Sequence, residues 1–345
     1  MLYAFELSGE HDVLPYKEII ACLGIEALDF KEYAHFEQCL VVDIQGNTED
    51  IDASLVSIAH RLAMSHHILK VAGMCDLDFD TIIKMSDDSD ISEHISSGQS
   101  FVVRAKRIKH HGSIKREKLE GYIGGSIYRK GFRANLKEPD VVFRLIMTDR
   151  AILGSLVASI DRGSYEHRSP QKKPFFYPGV LMPRVARALV NISGIKPGEV
   201  LLDPFSGTAG ILVEAGLLST HVIGLEVRRK ISHGARMNLD EFETDYSLLV
   251  GDACRMALKD SSVDAIVTDP PYGRSAAIRA ESLHHLYSGS FSEMFRVLKK
   301  GKLAVVVSEL SVLDFADEAG FSVVDVFTQK IHKSLTRTFT VLRKE

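Results

Sequence analysis

The stretch EVLLDPFSGTAGILVEAGLLS, residues 199–219, decides the fold of the second half of the chain. After Glu199, residues 200–202 are apolar and lead to Asp203, which predicts a short buried strand, and the apolar run after the glycines predicts a helix. Gly207 and Gly210 allow the backbone to turn tightly and to approach a ligand closely. A strand, a glycine turn and a helix in this order indicate the first unit of a parallel sheet.

The same alternation continues to the end of the chain. The segments HVIGLEV, SLLVGDA, VDAIVTDPPYG and KLAVVVSE predict further strands, separated by helices, with a short helix expected between the second and third of them. This pattern predicts a Rossmann-like α/β fold, a doubly wound parallel sheet with helices on both faces. The closing segments FSVVDVFTQKI and TRTFTVLRK are joined by a short turn and therefore predict an antiparallel terminal hairpin.

The first half of the chain has a different order of predicted strands and helices. It begins with the order strand, helix, strand, strand, helix, strand, which is the ferredoxin-like pattern. A polar, serine-rich segment follows, then a strand, a helix weakened by two adjacent glycines, and two more strands. A segment rich in polar residues, Gly and Pro predicts a linker before the second half. We therefore expect a ferredoxin-like domain at 1–75, a second domain at 76–160, a linker at 161–175 and a Rossmann-like domain at 176–345.

Charge is distributed unevenly along a chain whose net charge is −4. Residues 1–100 carry 19 acidic and 5 basic side chains, whereas residues 104–133 carry 10 basic and 2 acidic ones. Because Gly, Tyr and Phe interleave these charges, the block predicts a surface that binds a polyanion, and a solvated helix face is the alternative. The predicted RNA-binding residues are Arg104, Lys106, Arg107, Lys109, Arg129, Lys130 and Arg133.

Several functional classes are disfavoured by the composition. No apolar run reaches the roughly 18 residues of a membrane span, and the N-terminus does not resemble a signal peptide. The four cysteines form no CxxC pair and the histidines lack metal-ligand spacing, so no metal site is expected and a cytoplasmic location fits.

Four predicted strands each end at an acid, and these acids are Asp203, Glu226, Asp252 and Asp269. Doubly wound sheets bind ligands at the carboxyl ends of their strands, where Glu226 is placed to accept hydrogen bonds from ribose hydroxyls. Such a rim would repel a pyrophosphate dinucleotide and hold a cationic nucleoside, so S-adenosylmethionine fits better than NAD. Each acid alone could instead cap the helix that follows it.

These stretches are similar to the motifs of one enzyme class. DPFSGTAG, GLEV, GDA and DPPYG resemble successive motifs of class I methyltransferases that modify exocyclic amines. The segment at 172–193 resembles the one that precedes these motifs in THUMP-domain tRNA guanosine-N2 methyltransferases, and the archaeal type that acts on guanosine 10 is the most similar. The resemblance covers essentially the whole chain and implies a THUMP RNA-binding domain at 76–160.

The resemblance also implies the roles of individual residues. Val227 is expected to pack on the adenine of the cofactor and Asp252 to accept from its amine. The family usually has Gly where this chain has Ala209, so an extra methyl is expected to crowd the methionine part of the cofactor. The full expected cofactor-binding set is Asp203, Phe205, Gly207, Thr208, Glu226, Val227, Asp252 and Ala253.

The DPPY motif supplies the expected catalytic residues. The Asp269 carboxylate and the Pro270 carbonyl would accept hydrogen bonds from the amine and free its lone pair, while Tyr272 would stack on the base. We therefore predict an S-adenosylmethionine-dependent tRNA methyltransferase that forms N2-methylguanosine or N2,N2-dimethylguanosine at position 10. An adenine-N6 methyltransferase, an RNA-binding module with an inactive catalytic domain and a NAD dehydrogenase are the alternatives. Relatives of this kind also suggest a small zinc-binding activator subunit as a partner.

Overall fold

Two separate β-sheets are built from the two parts of the chain. The computed structural model describes residues 1–109, 114–272, 280–332 and 335–345. Contacts divide the chain into two units. The first contains Met1–Tyr16, Glu26–His60 and Met64–Asp161, and the second contains Lys17–Ile25, Arg61–Ala63 and Arg162–Glu345.

The N-terminal part holds an eight-stranded sheet with the order β2-β3-β1-β4-β8-β7-β5-β6. Its first six elements follow the expected order of strand, helix, strand, strand, helix, strand. The strands are β1 (Leu2–Leu7), β2 (Phe30–Phe36), β3 (Cys39–Ile44), β4 (Ser65–Asp76), β5 (Ser100–Arg107), β6 (Arg133–Ala134), β7 (Val141–Met147) and β8 (Arg150–Ser159). The helices are α1 (Leu14–Ile25), α2 (Thr48–Arg61), α3 (Phe79–Asp88) and α4 (Arg116–Arg129).

Both faces of this sheet carry apolar side chains. Phe143 and Leu145 of β7 pack in one cluster with Leu119 of α4, while Ile146 belongs to a second cluster with Ala4 of β1. Because successive strand residues point to opposite faces, the run VVFRLIM supplies apolar side chains to both. The sheet continues without interruption across residue 75, since β4 pairs with β8.

The C-terminal part holds a seven-stranded sheet with the order β11-β10-β9-β12-β13-β15-β14. The strands from β11 to β13 are parallel, and β15 and β14 form the antiparallel hairpin. The strands are β9 (Val200–Asp203), β10 (His221–Leu225), β11 (Tyr246–Leu249), β12 (Val263–Thr268), β13 (Leu298–Ser308), β14 (Ser322–His332) and β15 (Leu335–Arg343). The helices are α5 (Ser164–His167), α6 (Pro183–Ile192), α7 (Gly210–Gly216), α8 (Arg229–Glu241), α9 (Ala280–Val297) and α10 (Leu313–Ala319).

The short helix expected between β11 and β12 is wrong. Residues 250–262, all of which the structure describes, form turns. Besides one internal turn bond, from the Arg255 amide to the Asp252 carbonyl (3.0 Å), backbone groups of this segment bond to side chains of α9. The Met256 amide donates to the Glu293 carboxylate (2.6 Å), and the Arg296 guanidinium donates to the carbonyls of Leu258 (2.7 Å) and Met256 (3.0 Å).

A buried ion cluster fixes the segment that precedes α6. Glu214 on α7 has no exposed surface, and its carboxylate accepts from Arg168 (2.8 Å) and Arg187 (3.0 Å). Arg168 lies in the predicted linker, which also contains α5 and a 3-10 turn at Pro170–Lys172. Because buried charges of opposite sign are stable only as pairs, these contacts hold the segment against α7.

Candidate active site

The carboxyl ends of four neighbouring parallel strands each carry an acid. Asp203 ends β9, Glu226 follows β10, Asp252 follows β11 and Asp269 follows β12. These strands are adjacent in the order β11-β10-β9-β12, so their ends lie at one edge of the sheet. The sheet topology thus brings together residues that are up to 66 positions apart in the sequence.

A cavity of about 710 Å³ opens at this edge. All four acids line it, and its walls also contain apolar side chains such as Leu181 and Leu286. The eight residues expected to bind the cofactor are among those that line it, namely Asp203, Phe205, Gly207, Thr208, Glu226, Val227, Asp252 and Ala253. The three expected catalytic residues, Asp269, Pro270 and Tyr272, line it as well.

Hydrogen bonds hold the glycine turn after β9 in place. Asp203 is only 2% exposed, and its carboxylate accepts from the Phe205 amide (3.1 Å) and the Thr268 hydroxyl (2.7 Å). The Thr208 carbonyl accepts from the Asn238 side chain of α8 (2.9 Å). The turn is therefore fixed by β12 on one side and by α8 on the other.

Ala209 begins α7 in the left-handed region, with φ of +64°. Its methyl is fully buried, and Ala209 is not among the described residues that line the cavity. The methyl is therefore not part of the described cavity wall, and the main effect of an alanine here is backbone strain, which costs roughly 1–2 kcal/mol for an L-residue in this conformation.

Glu226 lies at the cavity wall and is 7% exposed. One of its carboxylate oxygens accepts from the Arg228 amide (2.9 Å) and from the Arg228 guanidinium (3.2 Å). That guanidinium lies 5.3 Å from the centre of the Tyr177 ring, a distance typical of a cation–π contact. Arg228 thus orients the carboxylate expected to hold the ribose.

Asp252 and Val227 lie on the more open side of the cavity. Asp252 is exposed and accepts from the Cys254 amide (2.9 Å), which fixes its side chain. Val227 is 69% exposed, although its β-branched side chain lines the cavity. Ala253 lines the cavity as well and is buried.

The DPPY segment after β12 places an acid and two carbonyls in a fixed loop. The Tyr272 hydroxyl donates to the Asp269 carboxylate, so the acid and the ring predicted to act on the base contact each other. The Tyr287 hydroxyl of α9 donates to the Pro271 carbonyl (3.4 Å). Tyr287 is 2% exposed, and we infer that it holds the loop against α9.

The two acids nearest the centre of the sheet, Asp203 and Asp269, have raised pKa values. Burial raises the pKa of Asp203 to about 7, opposed by the hydrogen bonds from Thr268 and Phe205. Burial likewise raises the pKa of Asp269 to about 7, and the Arg337 guanidinium opposes this rise. A cationic ligand in the cavity would favour the ionised form of both carboxyls.

Similar proteins of known activity match this chain along nearly its whole length. It is 34% identical over 343 residues to the tRNA (guanine(10)-N2)-dimethyltransferase of Methanothermobacter thermautotrophicus, and the match covers 98% of each chain. The chain belongs to the tRNA (guanine(10)-N2)-dimethyltransferase family. The member of this family from Pyrococcus abyssi is 33% identical over 303 residues, which are 87% of this chain and 88% of the other.

A family model described as "UPF0020: RMKL-like, methyltransferase domain" matches residues 170–337. The structure of TrmN from Thermus thermophilus covers 100% of both chains with a TM-score of 0.55 and 19% identity. The structure of SMU.472 complexed with SAH covers 100% of this chain and 98% of the other, with a TM-score of 0.54 and 14% identity. Both likenesses show a shared mixed α/β fold with two sheets.

The basic residues of this family member differ in how much they are already paired. Arg129 contacts Asp87 (2.8 Å) and Lys109 contacts Glu37. The other partners are carbonyls: Arg104 donates to Leu136 (3.3 Å), Lys130 to Ser86 (3.0 Å) and Arg107 to Ile114. For the side chains of Lys106 and Arg133 the structure gives no hydrogen bond or ion pair within the described ranges, and residues 110–113 of the basic block lie outside those ranges.

Two further observations concern the part of the methyltransferase that the structure describes. No group of three or more His, Cys, Asp or Glu side chains there is arranged to hold a metal ion. No helix in those ranges is both long enough and apolar enough to cross a membrane.

The segment at 175–181 is part of the site, although we did not predict it from the sequence. Tyr177 and Leu181 line the cavity. The segment is anchored by Asn238, which donates to the Phe175 carbonyl (2.9 Å) and accepts from its amide (2.9 Å). Gly234 leaves space for the Phe175 ring, because a Cβ there would lie 2.1 Å from it. The aromatic run PFFYPG was the available signal, since linkers seldom carry three adjacent aromatic residues.

Proposed function

We propose that this chain is an S-adenosylmethionine-dependent tRNA methyltransferase that forms N2-methylguanosine or N2,N2-dimethylguanosine at position 10. The observation that carries the proposal is the convergence of four carboxylates on one cavity beside the DPPY loop. The near full-length similarity to enzymes named for this reaction supports the choice of substrate.

The residues present suit this cofactor. Its sulfonium and ammonium groups are cationic, and a cavity rimmed by Asp203, Glu226 and Asp252 attracts cations. Glu226 would hold the ribose, Asp252 the adenine amine, and Val227 the face of the adenine. When bound, S-adenosylmethionine supplies an electrophilic methyl group. The protein must prepare the amine and accept its proton.

The protein must first prepare a poor nucleophile. The lone pair of an exocyclic amine is delocalised into the base, so acceptors must hold its hydrogens in a geometry that frees it. The Asp269 carboxylate and the Pro270 carbonyl provide two such acceptors on a proline-stiffened loop, and preorganised acceptors need little reorganisation during reaction. Tyr272 would stack on the flipped base, which is worth about 1–3 kcal/mol per base.

Asp269 would also receive the proton that the amine loses as the new N–C bond forms. Its pKa of about 7 suits a group that accepts a proton near neutral pH and returns it to solvent. The ionised form is required at the start of the reaction, because a carboxyl that already carries a proton cannot accept the one that the amine loses.

The N-terminal sheet would recognise the rest of the tRNA. We propose that it contains a ferredoxin-like domain and a THUMP domain, as the element order and the basic stretch suggest. Lys106 and Arg133 are the strongest candidates for phosphate contacts, which give position and not base identity. The activator subunit, the cytoplasmic location and the domain boundaries stay predictions.

Mass spectrometry of nucleosides from treated tRNA tests the function. Transcripts with guanosine or adenosine at position 10 are incubated with the full chain and methyl-labelled cofactor. N2-methylated guanosine is expected from the first transcript only, and its loss in Asp269→Ala with retention in Asp317→Asn, an exposed acid on α10, would link it to the site. Labelled N6-methyladenosine, or no labelled base, would overturn the proposal.

A further inference from the structure

Polar side chains lie at the ends of the strands that continue the sheet beyond Asp269. The strand order there is β12-β13-β15-β14. Glu309 directly follows Ser308 at the end of β13, and Ser308 pairs with Thr338 of β15. Arg337 directly precedes Thr338 and pairs with Gln329 of β14. Glu309 and Arg337 therefore lie at the same end of neighbouring strands, next to the strand that presents Asp269.

The charges at these positions reach Asp269. The Arg337 guanidinium lowers the pKa of Asp269 and the Glu309 carboxylate raises it, so all three belong to one electrostatic environment. Glu309 also raises the pKa of Tyr287, the residue that contacts the DPPY loop. The acid and the arginine thus lie beside the site that prepares the amine.

Two buried polar atoms in this row are unpartnered. Within the part of the chain that the structure describes, the Arg337 Nε and the Gln329 Oε1 are buried without a hydrogen-bond partner. Buried polar groups are normally hydrogen-bonded, and leaving one unsatisfied costs free energy. Gln329 lies on the outer strand β14, whereas Arg337 lies on β15, two strands from the strand that presents Asp269, and its unsatisfied Nε points to a ligand that supplies the missing partner.

The order of chemical groups across the strands matches one base. Asp269 offers an acceptor, Glu309 a second acceptor and Arg337 a donor. The Watson–Crick edge of guanine presents the complementary order of N2–H donor, N1–H donor and O6 acceptor, whereas adenine presents a donor followed by an acceptor. Arginine is also the side chain that most often contacts guanine O6.

We propose that Glu309 and Arg337 form a guanine-recognition subsite. Glu309 accepts from guanine N1–H and Arg337 donates to O6, while Asp269 holds the N2 amine. This inference rests on the proposed function, because it assigns the specificity of the same site. It also explains why a DPPY motif shared with adenine methyltransferases would act here on guanine.

A substituted base tests the subsite directly. 2-Aminopurine at position 10 keeps the reactive amine but lacks O6 and N1–H. Single-turnover methylation by the wild-type chain is expected to be about 10- to 100-fold slower on 2-aminopurine than on guanosine, the discrimination typical of good polar base contacts. At pH 9, where Asp269 is ionised with or without Arg337, Arg337→Met should slow methylation of guanosine by a similar factor and leave the 2-aminopurine rate within about twofold. Glu309→Ala should behave likewise, and Glu309→Gln, which keeps an acceptor, should restore most of the guanosine rate.

Arg343→Met is the matched control, because Arg343 is exposed at the opposite end of the same strand. It should leave both rates unchanged, and cofactor affinity should be equal in all variants. The subsite would be overturned if Arg337→Met slowed the methylation of both bases equally. It would also be overturned, whatever the variants do, if the wild type methylated 2-aminopurine as fast as guanosine. A wild type inactive on guanosine would instead overturn the proposed function, and the subsite with it.

Discussion

Replacing Asp203 with Asn should stabilise the ligand-free protein while weakening its function. The Asp203 carboxyl is 2% exposed, and burial raises its pKa from 3.8 to about 7. Above pH 7 the folded protein must therefore keep a buried negative charge that the unfolded chain would expose to water. Asn removes this charge and keeps an oxygen that can accept from Thr268 and Phe205.

The magnitude follows from the displacement of the pKa. Each pKa unit corresponds to 1.36 kcal/mol, so the ionised Asp203 costs about 4 kcal/mol of folding stability at pH 8. At pH 5 the carboxyl is protonated in the folded protein but ionised in the unfolded chain. The cost to folding stability therefore falls to about 2 kcal/mol. Because the folded pKa is raised, stability contributed by this group is lost as pH rises from about 4 to 7.

Urea denaturation of the wild type and of Asp203→Asn at pH 5 and pH 8 measures both values. We expect the free energy of unfolding to increase in the variant at both pH values, and by more at pH 8. Calorimetry should show weaker S-adenosylmethionine binding, since a neutral amide attracts the cationic cofactor less than a carboxylate does. Asp317→Asn, an exposed substitution on α10, should change neither quantity. A variant that is less stable than the wild type at pH 8, or whose advantage is the same at both pH values, would refute the reasoning.

Outcomes are also expected at four further sites. Asp269→Ala should remove most turnover and leave cofactor affinity near normal in calorimetry, and wild-type kcat/KM should rise with pH and level off above about 7, because a protonated carboxyl cannot take up the proton that the amine loses. Glu226→Ala should weaken S-adenosylmethionine binding by about 1–3 kcal/mol in the same assay, through loss of a charged acceptor for the ribose. Joint replacement of Lys106 and Arg133 with Ala should lower tRNA affinity and flatten its dependence on salt in filter binding, because fewer counterions are released; an unchanged salt slope would exclude these two from the phosphate contacts. Glu214→Gln should lower the free energy of unfolding by about 3–5 kcal/mol in urea, since two nearly buried guanidinium groups lose their partner.

Most of the catalytic half could be predicted from local sequence patterns. The strand ends could be predicted because an acid follows each apolar run. Parallel strands bring such ends to one edge of the sheet, independent of the conformation of the loops. The exocyclic-amine chemistry was readable from DPPY, because an acid, a carbonyl and an aromatic ring lie within four consecutive residues. The absence of a helix between β11 and β12 was not readable, because side chains of α9 that are distant in sequence satisfy the backbone of that segment.

Which distant groups act together became visible only in the folded chain. No local pattern links Glu309 and Arg337 to Asp269, and they become neighbours only because the terminal hairpin adds β15 beside β13. The basic stretch is a second example. Its composition predicted seven phosphate contacts, but in the folded chain Arg129 and Lys109 contact acidic side chains. The physical reason is that composition and periodicity report what a segment can bury, whereas partners and pKa values depend on charges and surfaces brought in from elsewhere in the chain.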